Sequence, residues 1–271
     1  MMLQDSHPLT TKSDPLLTVS LISHNSRSDL ELLIPSIAAA IRNIDAEIRL
    51  VDNCSKDGTV SFIRKTWPEI LLHRNARRQG YGANHNTNLS SARGKYFALM
   101  NADIVVKKDI FEELIRFMEI NPDVGVVTPN VRNEDGTLQF LNKRYPTVSD
   151  LFIRRFVPDA VKPVFKKRLD RYEMKDVGYE NIVDVPFLSG AFMFTRTDLL
   201  KSLQGFDERF FLYFEDVDLC RRVQQSHRTV YFPHAEVIHR WERAAHKDIR
   251  WASVFMVSAF KYFNKWGYAF F

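Results

Sequence analysis

Four apolar runs, each closed by polar loop formers and each followed by a helix-period pattern, fill about the first 100 residues after position 16, and four such β-α repeats imply a mostly parallel sheet with helices on both faces. The first run is Leu17–Ile22, which ends in Ser23-His24-Asn25-Ser26. Leu30, Leu33, Ile34, Ile37, Ala38 and Ile41 then share one helical face, and Ser28 with Glu31 has capping-box spacing for its start. The second run, Glu47–Asp52, stops at Asn53-Cys54-Ser55-Lys56-Asp57-Gly58, and a helix through Val60, Ile63 and Trp67 follows. A third strand begins at Ile70-Leu71-Leu72, and Gly80–Asn86 opens the next helix. The fourth run, Tyr96–Met100, is uniformly apolar and ends in Asn101-Ala102-Asp103, with a helix expected from near Asp109.

Asp103 is the most informative single residue of this pattern. A carboxylate at the carboxyl end of a central strand is costly to bury alone, and ligands of open α/β sheets bind at that edge. Asp103 is therefore a helix cap or a ligand for something positive, and it lies six residues early for a cap at Asp109. Ser23-His24-Asn25, Asp52-Asn53 and Asn101-Asp103 would converge on one sheet edge. Carboxylates there suit a hydrogen bond from a base or sugar, or a divalent cation held against phosphate oxygens. Gly80 and Gly82 allow close backbone approach to a ligand or serve a plain tight turn. The stretch is no Walker A loop, since Gly-Lys-Ser/Thr is missing, and no G-x-G-x-x-G follows the first strand.

The second half is less regular. Val124–Thr128 reads as a short strand, Asn133-Glu134-Asp135-Gly136 as a hairpin turn, and Val183–Phe187 and Ala191–Thr195 as strands around Leu188-Ser189-Gly190. Thr229–Phe232 and Glu236–His239 read as two final strands. Between them lies Phe210-Phe211-Leu212-Tyr213-Phe214-Glu215-Asp216-Val217-Asp218. Three acids in the first turn of a helix are favourable there in any case, but behind five aromatic or aliphatic residues they exceed what capping needs. A carboxylate in such a pocket has raised proton affinity, which suits a general base. His239 is either structural or a metal or diphosphate contact, with His234 and His246 nearby.

Composition adds bounds. A chain of 271 residues with 45% apolar residues is long enough for a substantial core. Residues 1–15 read as a loose, polar leader, 16–245 as one domain, and 246–271 as an aromatic helical tail; within the domain, 16–130 binds a nucleotide-like ligand and 131–245 its partner substrate. No run of 18 apolar residues is present, and the two cysteines, Cys54 and Cys220, fit a reducing cytoplasm. The formal charge is +5, and residues 151–175 carry eight Lys or Arg against three acids among large apolar side chains. That segment is either a solvated face or a surface for an anionic lipid, headgroup or phosphate. No nucleic-acid-binding motif accompanies it. In the tail, residues 251–263 are expected to pack on the domain. The last aromatics, with Lys265, are expected to meet a membrane or a partner.

The ordered motifs resemble those of family 2 glycosyltransferases. Leu50–Gly58 resembles their V-D-N-x-S-x-D-G signature, Gly80–Asn86 their G-F-G-x-G-x-N turn, and Leu99–Asp103 their variant of D-x-D. Leu188–Met193, Gly205–Phe211 and Phe214–Arg222, the last like E-D-x-D-L-C-x-R, continue the pattern almost to residue 240. Asn84 stands where glycine is usual, Ala102 where proline is usual, and Asn101 replaces the first acid of D-x-D. Within the family the chain is most similar to bacterial rhamnosyltransferases of O-antigen and cell-wall assembly.

The resemblance implies a GT-A fold: a mixed, mostly parallel sheet flanked by helices, here as one domain with a C-terminal helical tail. It implies an inverting transferase with a nucleotide-sugar donor, dTDP-L-rhamnose being favoured, and Mg²⁺ or Mn²⁺. Its acceptor would be a saccharide, polyprenyl-diphosphate-linked, at the inner face of the cytoplasmic membrane. Carried onto this chain, Ser23, Asn25, Asp52, Asn53, Gly80, Asn86, Asn101 and Asp103 form the donor set, with Asp52 on the base. Asp103 ligates the metal, with His239 as a second ligand. Gly190, Tyr213 and Glu215 face the acceptor, and Asp216 is the base, supported by Glu215. A UDP-sugar donor, or a non-catalytic subunit binding nucleotide-sugar or carrier lipid, are the competing readings, and self-association is compatible with each.

Overall fold

The computed structural model describes residues 14–240 and 249–270. Residues 1–13, most of the expected leader, and the expected boundary at 245/246 lie outside them, as do His246 and Phe271. The first strands are β1 (Leu17–Ser23), β2 (Ala46–Asp52), β3 (Leu71–Arg74) and β4 (Tyr96–Met100); they are parallel and ordered β3-β2-β1-β4. Helices α1 (Arg27–Ala40), α2 (Thr59–Thr66) and α3 (Tyr81–Ser90) connect them. Beyond β4 the sheet becomes mixed. It continues through β8 (Phe192–Arg196), antiparallel to β4, then β6 (Val124–Arg132) and β9 (Arg228–His239), and ends in β5 (Ile104–Val106). β7 (Val183–Asp184) pairs with β9. The sheet is mixed and flanked by helices, as expected, with its parallel pairings concentrated in the first four strands.

The two faces carry separate cores. Leu17, Val19 and Leu21 of β1 are fully buried against α1 and α4 (Ile110–Ile120), through Leu30, Leu33, Ile37, Phe111 and Leu114. Fully burying each such side chain is worth roughly 1.5–3 kcal/mol. The opposite face of β4, with Phe97 and Leu99, packs on α3, α7 (Thr197–Ser202) and α8 (Glu215–Val223) through Leu89, Leu200, Leu219 and Val223. On that side β1 presents Thr18 and Ser20. The Ser20 hydroxyl bonds His85 Nδ1 at 2.7 Å, and Asn88 Nδ2 donates to Ser20 Oγ at 2.9 Å, so a polar network docks α3. Thr18 donates to Glu47 at 2.9 Å. Burial raises the Glu47 pKa, but Arg49, the Arg93 amide and Thr18 outweigh it and hold the carboxyl at about 2.

The last helix, α9 (Ile249–Trp266), packs on the aromatic run ahead of α8: Phe255 lies 5.6 Å from Tyr213 and 5.2 Å from Phe214 between ring centroids. Asp218 is fully buried and anchors it, accepting from Trp266 Nε1 at 2.8 Å and pairing with Lys265 at 2.6 Å and Arg222 at 2.9 Å.

Several local expectations are corrected. Helix α1 starts at Arg27, so Ser28 lies inside it, and Glu31 pairs with Arg27 rather than closing a capping box. Strand β6 runs on to Arg132, and the two final strands are one, β9, with a register shift where Pro129 pairs Phe232 and Asn130 pairs Glu236. Pro233, which has no N–H for the ladder, sits in that bulge. Only Val183–Asp184 of the 183–187 run pairs as strand. Among residues 148–175, α5 (Val148–Phe156), a 3-10 turn at Lys162–Phe165 and α6 (Lys166–Tyr172) pack together.

Candidate active site

The loops after β1, β2 and β4 meet at one sheet edge because the register pairs Ser23 with Asp52 and Leu21 with Met100. Two residues there, Asn25 and Cys54, have φ of 58° and 65°. Non-glycine residues in this region signal tight, over-determined loops. Asn25 braces them: its N–H donates to Ser55 Oγ at 3.0 Å and its Oδ1 accepts from Lys56 N at 2.7 Å. Asp52 is fully buried; Oδ2 accepts from Ser55 N at 3.2 Å, while Oδ1 has no partner. An acceptor with a free lone pair at a strand end is what an N–H of a base would need. Ser23 is fully buried, with its Oγ 3.5 Å from Thr59 Oγ1.

Other members of the expected donor set frame the site. Asn53 donates to Gln79 O at 2.9 Å and accepts from Gln79 N at 2.9 Å and Asn75 Nδ2 at 3.0 Å. Asn75 also donates to Asn84 Oδ1 at 2.7 Å, so the asparagine at the usual glycine position completes a buried amide network. Asn86 clasps Phe206 in both directions, Nδ2 to O at 2.9 Å and Oδ1 from N at 2.8 Å. A Cβ at Gly80 would stand 2.6 Å from Phe211 O and 2.8 Å from Phe211 Cα, so that glycine permits one backbone to rest on another. Asn53, Asn86 and Gly80 thus hold the 75–86 and 206–211 segments in place.

Asp103 does not cap α4, whose N-cap residue is Asp109. Pairing of Ile104 with His239 across β5 and β9 instead sets Asp103 beside the imidazole, with Oδ1 3.3 Å from His239 Nε2. Gln139 fixes the ring. Its Nε2 donates to the backbone oxygen of His239 at 2.9 Å, which leaves Oε1 facing Nδ1 at 2.8 Å. An amide oxygen there places a proton on Nδ1, so in the neutral ring Nε2 presents a lone pair toward the carboxylate, and this buried atom has no hydrogen-bond partner. Two acceptors facing each other need a proton or cation between them. Two neighbouring ligands of an octahedral ion at about 2.1 Å would lie about 3 Å apart, so the donor pair fits Mg²⁺ or Mn²⁺. Among the described residues no group of three or more His, Cys, Asp or Glu converges on one point. Asn101, at the end of β4, ties this edge to the next: its N–H donates to Ala191 O at 3.0 Å.

The acids ahead of α8 divide their roles. Tyr213 and Phe214 precede them with φ of 69° and 68°, adjacent strained residues that turn the chain into the helix. Glu215 is only 4% exposed, and its Oε2 has no partner. Burial first, and the Asp216 charge second, push its pKa well above the carboxylate range. Asp216 is half-buried; burial raises its pKa too, but the Gly190 N–H at 3.1 Å, the Lys143 ammonium and the Val217 N–H at 2.9 Å favour its charged form. Both adjacent acids therefore hold a proton more tightly than free carboxylates, and Asp216 is the one whose surroundings do more to favour ionisation.

Tyr81 links the parts. Its hydroxyl donates to Gly190 O at 2.6 Å, and burial first, with the nearby acids Glu215, Asp216 and Asp103, raises its pKa well above 10.0. Asp103, Glu215, Asp216 and Gly190 thus all act on one phenol, whereas the Tyr213 ring lies against Phe255 of α9. Sequence reasoning passed over Tyr81, Asn75, Gln139 and Lys143. Tyr81 lay within the quoted glycine stretch; the other three carry no local signal.

Residues 18–203 match the profile described as Glycosyl transferase family 2. The N-acetylglucosaminyl-diphospho-decaprenol L-rhamnosyltransferase of Mycobacterium tuberculosis is 24% identical over 252 residues, 86% of this chain and 78% of that protein. Rhamnosyltransferase WbbL of Escherichia coli is 27% identical over 181 residues, 63% of each. Among solved structures, the mannosyltransferase PcManGT from Pyrobaculum calidifontis, in complex with GDP-Man and Mn²⁺, superposes with a TM-score of 0.59 at 20% identity, covering 90% of this chain and 62% of its own. S. aureus TarS gives 0.61 at 17%, covering 92% of this chain and 40% of its own. These likenesses are of fold, and this chain spans 62% of the first structure and 40% of the second.

Proposed function

The chain belongs to glycosyl transferase family 2, and on that premise we propose that it moves L-rhamnose from dTDP-L-rhamnose, with inversion, onto a polyprenyl-diphosphate-linked saccharide in bacterial surface polysaccharide synthesis. The observation that carries the reading is Asp216, a partly accessible carboxyl pinned by two backbone amides beside the buried Glu215, whose pKa is raised further from the carboxylate range. Such a group is a ready general base. The names of the rhamnosyltransferase relatives support the donor, and the diphospho-decaprenol of one of them supports the acceptor.

In this reading the free Oδ1 of Asp52 accepts a hydrogen bond from the base. Asp103 and His239 Nε2 would hold Mg²⁺ or Mn²⁺, which when bound would neutralise charge on the departing nucleoside diphosphate. Asp216 takes the proton of the acceptor hydroxyl as its oxygen forms the new bond to the anomeric carbon and the bond to the diphosphate breaks. Glu215 keeps its proton throughout. Gly190 and Tyr81 orient Asp216, and holding both substrates in line supplies much of the rate.

Among the described residues no helix is long and apolar enough to cross a membrane. Phe152 and Phe156 on α5, Val164 in the 3-10 turn, and Tyr268 and Phe270 in the tail are exposed, with Lys166 and Lys167 beside them. The tail joins α5 directly, Val148 N donating to Ala269 O at 2.8 Å. Aromatics with lysines suit the interfacial zone of an anionic membrane, where a lipid-linked acceptor resides.

A donor panel of dTDP-rhamnose with UDP- and GDP-sugars, with Mg²⁺ or with chelator, tests the reading. Release of nucleoside diphosphate from dTDP-rhamnose alone, and only with metal and acceptor, is expected. Turnover of a UDP-sugar in its place would overturn the donor assignment.

A further inference from the structure

The cations around the acceptor half are nearly all paired. Arg144 pairs with Asp176 at 2.8 Å, Arg154 with Glu173 at 2.8 Å, Arg168 with Asp150 at 2.6 Å, and Lys175 with Glu173 at 2.7 Å. Lys143 differs. Among the described residues its Nζ makes no hydrogen bond and has no carboxylate oxygen within 4.0 Å; it stands 5.1 Å from the centroid of the Phe187 ring. Its backbone is fixed by a two-way bridge, Lys143 N to Phe187 O at 3.0 Å and Phe187 N to Lys143 O at 2.9 Å. Phe187 lies three residues before Gly190, the residue whose N–H holds Asp216. Lys143 and Asp216 accordingly feel each other's charge without touching.

An ammonium kept half-buried, over a ring and short of any counter-ion is a destabilising arrangement in the free protein. Burial first, and the Arg154 charge second, lower its pKa to about 8, against the pull of Asp216 and Glu173. An arriving anion removes that penalty, and charge-assisted hydrogen bonds are the stronger kind. We infer that Lys143 receives the phosphate group of the acceptor, beside the hydroxyl that Asp216 deprotonates, and so selects phosphorylated over neutral acceptors. The inference rests on the acceptor reading proposed above.

The test compares two acceptors with the same short alkyl chain: an N-acetylglucosaminyl diphosphate ester and the neutral N-acetylglucosaminyl glycoside. The readout is the ratio of their kcat/KM values, with donor affinity measured separately by calorimetry. The native protein should favour the diphosphate. Lys143→Met should collapse that preference by roughly 10- to 100-fold, mainly through KM, and Lys143→Arg should keep most of it. Lys143→Gln serves if the Met variant does not fold. If both acceptors fall together and the ratio survives, Lys143 only tunes Asp216 and the inference fails. If donor affinity falls instead, Lys143 meets the donor diphosphate and the inference also fails. A native protein with no preference would overturn the acceptor reading, and this inference with it.

Discussion

Replacing Asp216 by Asn, with Glu215→Gln as its counterpart, separates the two adjacent acids. The Asp216 carboxylate accepts Gly190 N–H through Oδ2 at 3.1 Å and Val217 N–H through Oδ1 at 2.9 Å. Asparagine has one acceptor oxygen, so one of these amides must face an NH₂ group. That mismatch costs about 1–3 kcal/mol of stability. Loss of the base should lower transfer by about 10²- to 10⁴-fold, or about 3–5 kcal/mol of activation free energy. Burial and the neighbouring Asp216 push the Glu215 pKa well up, which favours its protonated form, so glutamine nearly reproduces its shape and charge, and Glu215→Gln should stay within about tenfold of the native rate. The assay is acceptor-dependent release of nucleoside diphosphate, with calorimetric donor titration and a melting curve on each variant. Donor affinity should hold in both. Native turnover by Asp216→Asn, or a Glu215→Gln loss as deep as that of Asp216→Asn, would refute the division of roles.

Gly80→Ala places a Cβ 2.6 Å from Phe211 O, a backbone atom that cannot rotate away; a loss of about 1–3 kcal/mol is expected, lowering the melting midpoint by roughly 2–4 °C per kcal/mol. Gln139→Leu leaves His239 Nδ1 without its acceptor, so the metal concentration giving half-maximal turnover should rise about 10- to 100-fold in a titration; an unchanged curve would detach Gln139 from the metal site. Glu47 has its folded pKa depressed from 4.5 to about 2. Its stabilisation is therefore present above the unfolded value and is lost as pH falls through the window between the two. Native protein should melt above Glu47→Gln at pH 7, and the gap should close as the pH is lowered toward 2.

The legible parts of the fold were those with local causes. The first four strands declared themselves by apolar runs with polar ends, and Asp103 and Asp216 by carboxylates placed against such runs. Where tertiary contacts decide, the reading slipped. Helix α1 begins at Arg27 because its N–H donates to Asp57 across the neighbouring loop at 2.9 Å, which Ser28 and Glu31 could not reveal. β9 carries on through Pro233 because a bulge opposite Pro129 absorbs the missing donor. That Asn53 and Asn86 also frame the site had no local signal, because the partners Gln79 and Phe206 come from other segments. Lys143 and Gln139 were silent because their partners, Phe187 and His239, arrive from 44 and 100 residues away.

The central claim is a single displacement with Asp216 as base, and the anomeric configuration of the product tests it most directly. With the donor identified by the panel, the new glycosidic bond is assigned by NMR from its anomeric carbon–proton coupling. The account predicts the configuration opposite to that of the donor. Retention of configuration would require a covalent or same-face route, and would contradict it.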